Sequence, residues 1–119
     1  MGDKSLSIQL DFGAFTADAI LFDTPVGRSV WNALPVTVSL TGWGAELYGP
    51  IPGDHGESRP VPKIPSGGIA YSRTGSYLCL FFGQDPAWPV DHIGQIDGDQ
   101  WKALLGAAPN SVTVSKRSS

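Results

Sequence analysis

Residues 65–83, PSGGIAYSRTGSYLCLFFG, hold two apolar, aromatic runs separated by the turn RTGS. Along YLCLFF the side chains alternate, so Leu78, Leu80 and Phe82 share one face of a strand. Tyr77, Cys79 and Phe81 share the other. Both faces are apolar, so one of Phe81 and Phe82 must leave any barrel interior. The chain on either side is punctuated in the same way. Fifteen glycines and ten prolines are spread through 119 residues, which indicates short elements joined by many turns.

Working outward, SLSIQLD at 5–11 alternates apolar and polar residues, and TADAILFD at 16–23 follows a glycine-containing connection, so 5–23 reads as a hairpin. TPVGRSVWNALP changes period. Thr24 is an N-cap candidate, and Pro25 suits the first helical position. Val26, Val30, Ala33 and Leu34 form one helical stripe, and Pro35 closes it. PVTVSL, AELYG, HIGQID and SVTVSK supply further strands. DGDQWKALLG predicts a second short helix, capped by Asp97 or Asp99 and stopped at Gly106. Residues 50–65 carry five prolines and are expected to be loop with at most an edge strand. In the loop QDPAWPVDH, the Trp88–Pro89 bond is a candidate for the cis form. The expected domain is 1–119, ordered over about 5–115 with a frayed RSS tail.

The motifs WGAELYGPIP (43–52), PSGGIAYSRTGSYLCLFFG and PVDHIGQI, taken in this order, resemble the small prokaryotic cyclophilin-like domain family. The likeness runs from about Leu6 to Val114. It implies an all-β fold: a closed eight-stranded barrel with two short helices, one near each end of the sequence. Relatives often have an aspartate where this chain has Gly68, and an aromatic-proline pair where it has Ser72-Arg73. The prolyl isomerase activity of true cyclophilins uses an arginine in a Phe-His-Arg-Val strand. That strand has no counterpart here, and none of Arg28, Arg59, Arg73 and Arg117 matches its arginine.

Eight basic and eleven acidic residues leave a net charge of −3, with no basic patch to neutralise phosphates, so nucleic acid is not an expected partner. No run approaches the roughly 18 apolar residues of a membrane span. MGDKSL has neither an apolar leader core nor a myristoylation pattern, so a cytoplasmic location is expected. Cys79, the single cysteine, reads as a core residue. His55-Gly-Glu57 has the spacing of zinc deaminases but lacks their cysteine pair. There is no phosphate loop and no G-x-S-x-G elbow. No catalytic residue, metal or cofactor is assigned.

A binding surface remains. In AELYG, Ala45 and Leu47 are expected inward, leaving Glu46 and Tyr48 on the outer face beside an outward Phe81. The candidate binding residues are Trp43, Glu46, Tyr48, Arg73, Phe81, Gln84 and His92. Glu46 is expected to form a groove wall, or an ion pair with Arg73, Lys63 or His92. The competing possibility is that the TPVGRSVWNALP helix covers this face. The expected function is a binding module for a peptide segment or small molecule, without covalent catalysis. The alternatives are a weak prolyl isomerase using Arg73 or Arg59, or a non-catalytic subunit of a larger enzyme. The sequence leaves the oligomeric state open.

Overall fold

A computed structural model describes residues 5–107 and 109–117. The leader and myristoylation readings rest on a segment that begins outside the described residues, as do the last two residues of the RSS tail. Arg117 is held: its N–H donates to Ser7 O and its guanidinium pairs with Asp18.

The strands are β1 (Ser5–Asp11), β2 (Thr16–Phe22), β3 (Val36–Ser39), β4 (Thr41–Gly42), β5 (Glu46–Pro50), β6 (Pro60–Val61), β7 (Gly68–Ser72), β8 (Tyr77–Phe81), β9 (Val90–Ile96) and β10 (Ser111–Lys116). They form one antiparallel sheet in the order β3-β10-β1-β2-β9-β7-β8-β5-β4, with β6 paired to β9. Only Leu40 separates β3 from β4, so the two ends of the sheet are consecutive pieces of one bent strand. Counted that way, eight strands close the barrel. Closure brings β3 against β5 so tightly that a Cβ on Gly49 would collide with the Ser39 carbonyl.

Alternation fills the interior. Ile8 and Leu10 from β1, Ala17, Ala19 and Leu21 from β2, and Val112 and Val114 from β10 pack with Leu47, Leu78, Leu80 and Phe82. Burying each of the larger aliphatic side chains contributes about 1.5–3 kcal/mol. Helix α1 (Pro25–Ala33) adds Val26 and Val30, with Leu34 at its C-cap. Thr24 caps it as expected, accepting from Gly27 N–H at 3.1 Å. Ala33 departs from the expected stripe and is exposed. The second predicted helix is a 3-10 turn over Gln100–Leu104, in which Asp99 holds the N-cap position without a side-chain bond. Leu104 still reaches the core. The cis bond lies at Leu34–Pro35, so the expectation for Trp88–Pro89 is corrected.

A second apolar cluster lies on the other face of β7 and β8: Ile64, Ala70, Cys79, Phe81 and Val90. The segment through Val61 and Ile64 and the start of β9 cover this part of the sheet, whereas α1 packs on the interior cluster with β2 and β9. The sheet between β5 and β9 is therefore apolar on both faces, which explains the two-sided pattern of YLCLFF.

Candidate functional site

Where the second cluster ends, an outward groove begins. Its floor is Glu46 and Tyr48 from β5, Tyr77 and Cys79 from β8, and Ser72 from β7; its walls are Trp43 and the Pro86–Trp88 loop. The cavity volume is about 280 Å³. Register explains the floor, because β5 and β8 place Tyr48 opposite Cys79 and Glu46 opposite Phe81. Tyr48 and Tyr77 meet edge to face with centroids 5.2 Å apart. Trp43 and Trp88 stand half exposed at the rim, at 50% and 47%.

Both walls are tied to the barrel by hydrogen bonds. Trp43 and Glu46 exchange backbone hydrogen bonds across a tight turn, and the N–H of Ala45 in that turn donates to Gln84 Oε1 at 2.7 Å. Gly44 has φ +61°, and the Gln84 amide occupies the space where a Cβ would sit, so this turn requires glycine. Trp88 Nε1 donates to Ser72 Oγ at 2.9 Å, and Ser72 donates onward to Thr74 O.

Glu46 is 7% exposed and, among the described residues, is the only charged side chain lining the groove. Among the described residues it has no ion pair and accepts no backbone N–H; its neighbour is the Cys79 thiol. Burial pushes its pKa up to about 7, against a smaller lowering by that thiol. Burial, and then the Glu46 charge, push the Cys79 pKa well above its ordinary range, so the thiol stays protonated. The groove thus contains a carboxyl poised between its two protonation states near neutrality.

Of the sequence-derived candidates, Trp43, Glu46 and Tyr48 meet in this groove. Gln84 braces it from behind. Phe81 lies on the predicted face but is fully buried beside Ile64 and Val90 instead of lining the groove. Arg73 pairs with Asp54 at 3.1 Å on the surface, and Lys63 is exposed, so the expected ion pairs to Glu46 are not formed. His92 is elsewhere, edge-on to Phe22 and lining a separate depression with Arg59 and Asp91. Its Nε2 is buried without a hydrogen-bond partner, and burial lowers its pKa. Neither Arg73 nor Arg59 lines the groove. His55 engages Ser29 Oγ and Pro52 O through its ring, and among the described residues no His, Cys, Asp and Glu cluster could hold a metal. The sequence reading missed Ser72, Tyr77, Cys79 and Trp88. Tyr77 and Cys79 could have been found from their shared parity with Phe81.

The cyclophilin-like family profile matches residues 6–115. The chain belongs to the cyclophilin-like family. No curated protein matches by sequence. Among solved structures, the hypothetical protein AF2241 from Archaeoglobus fulgidus is similar with 25% identity and a TM-score of 0.76, over 98% of this chain and 100% of that one. McbB, solved in complex with tryptophan, has a TM-score of 0.77 at 19% identity, over 96% of this chain and 45% of McbB. That second likeness is one of fold. No helix among the described residues is long and apolar enough to cross a membrane.

Proposed function

We propose that this cyclophilin-like barrel is a binding module whose outer groove, between the Trp43 turn and the Trp88 loop, takes a small molecule or the end of a peptide. One observation carries this reading: a carboxyl, 7% exposed and without an ion pair, opens into a cavity otherwise walled by aromatic, aliphatic and small uncharged side chains. A mostly apolar concavity with a few convergent polar groups is the usual form of a ligand site. Burying a carboxyl with only a thiol as its donor costs stability, and a ligand that donates to it would offset that cost. Isomerase activity is less favoured, because stabilising a twisted prolyl amide calls for a donor such as arginine and no guanidinium lines the groove.

The test is an NMR titration of labelled protein with a short Ala-Pro peptide and a panel of small aromatic amphiphiles, read together with cis/trans exchange of the peptide. Amide shifts clustered on residues 43–48, 72–79 and 86–90 are expected, without faster exchange. Shifts centred on the His92 depression would move the site; accelerated exchange would make the protein an isomerase.

One observation favours a second reading. A carboxyl with a pKa of about 7 suits general acid–base catalysis near neutral pH. Turnover of a groove ligand that is lost in Glu46→Gln would establish it.

A further inference from the structure

We infer that the groove selects a small organic ammonium ion, with the Glu46 carboxylate taking the charge and the surrounding rings taking the carbon body. The inference rests on reading the groove as a ligand site and names the ligand's chemistry. A carboxylate only accepts hydrogen bonds, so its complement must donate. The groups facing Glu46 supply no cation: Tyr48 on its own strand, Cys79 and Tyr77 on β8, Ser72 on β7, and the Pro86–Trp88 loop. Among the described residues, no lysine, arginine or histidine lines the groove. The Ser72 hydroxyl is occupied between Thr74 O and the Trp88 indole. The positive charge is therefore left for the ligand to bring.

The walls suit the same ligand. Trp43, Tyr48, Tyr77 and Trp88 present aromatic rings around one carboxyl, and a cation near such rings is attracted by their quadrupoles, most strongly by tryptophan. A volume of about 280 Å³ lies at the small end of ligand pockets, sized for a ring on a short alkylamine instead of an extended chain segment.

Protonation links the two states. The free groove holds a carboxyl that burial keeps largely protonated below pH 7. An arriving ammonium stabilises the carboxylate and expels that proton into solvent. Affinity for an amine therefore rises with pH up to about 7 and levels off above it.

The probes are benzylamine and its neutral analogue benzyl alcohol, titrated by calorimetry and tryptophan fluorescence at pH 6 and pH 8 in buffers of different ionisation heat. At pH 8 benzylamine should bind at least about tenfold tighter than the alcohol. Its affinity should fall about tenfold from pH 8 to pH 6, with close to one proton released per amine bound at pH 6. In Glu46→Gln the pH dependence should vanish and the preference should shrink to what the aromatic rings alone supply. The wild-type comparison of the two probes needs no variant to fold. Equal affinity for the two probes at pH 8, or amine binding that tightens as pH falls, would overturn the ammonium assignment and leave the groove as an apolar site. Absence of both heat and tryptophan-fluorescence change with either probe would overturn that assignment and the reading of the groove together.

Discussion

Two carboxylates in this barrel are equally buried, at 7% exposure each, and they live in opposite surroundings. Asp91 on β9 accepts the N–H groups of Ser58 and Arg59 in three contacts of 3.0–3.3 Å, which fastens the segment leading into β6. Glu46 on β5 accepts no backbone N–H and faces a cavity. Burial alone therefore does not separate a structural carboxylate from a functional one. The supply of donors does, because a carboxylate held by backbone donors stabilises the fold, whereas one met only by a weak thiol donor costs stability and leaves room for a partner.

The largest effect expected from that contrast is at Asp91. Asp91→Ala leaves two backbone donors without their acceptor, at a cost of about 2–3 kcal/mol and roughly 10 °C in Tm. Thermal unfolding checks it. A loss under about 0.5 kcal/mol would mean that the 58–59 segment is held by its other contacts and that the two carboxylates are not opposites.

Glu46→Gln should go the other way. The folded carboxyl keeps its proton to about pH 7, while the unfolded one releases it near 4.5. Between those values the unfolded chain binds fewer protons, so the wild type loses stability as pH rises through that window and is flat above it. A rise from 4.5 to about 7 converts to about 3 kcal/mol at full value. The open groove screens it, and the expected gain for the glutamine variant at pH 8 is about 1–2 kcal/mol. At pH 4 the two proteins should unfold alike. Denaturant midpoints at pH 4 and pH 8 measure both, and a destabilised variant at pH 8 would place Glu46 in the same structural class as Asp91.

The contrast also shows where sequence reading reached and where it stopped. Strand periodicity placed Leu47 inward and Glu46 outward, and it found both faces of β8, because parity is local along a strand. It could not tell that the outer face is half covered. Phe81 is sealed by Ile64 and Val90, and Glu46 is walled by Trp43 and the 86–88 loop; both depend on segments far away in sequence. Arg73 and His92 were drawn to the site by chemistry alone. Arg73 pairs within its own neighbourhood, with Asp54, and a register irregularity between Ile69 and Ala70 interrupts the β7–β9 pairing next to His92. Gln84, a candidate binding residue, braces the Gly44 turn from behind the groove.

The smallest effect concerns how firmly each wall is held. The 58–59 segment rests on the three contacts to Asp91, whereas the Trp88 indole rests on the single bond to Ser72. Ser72→Ala removes that acceptor at a cost of about 0.5–1.5 kcal/mol. Trp88 is already about half exposed, so the lower end is expected. The consequence for the groove should be larger than the consequence for the fold. An unanchored Trp88 should be quenched more readily by acrylamide, and ligands that pack against it should bind a few-fold more weakly while Tm barely moves. If Tm falls as far as in Asp91→Ala, the Trp88 loop is part of the structural frame. A groove whose wall yields without the barrel yielding is one that can adjust to what it binds, and the Asp91 side of the molecule has no such freedom.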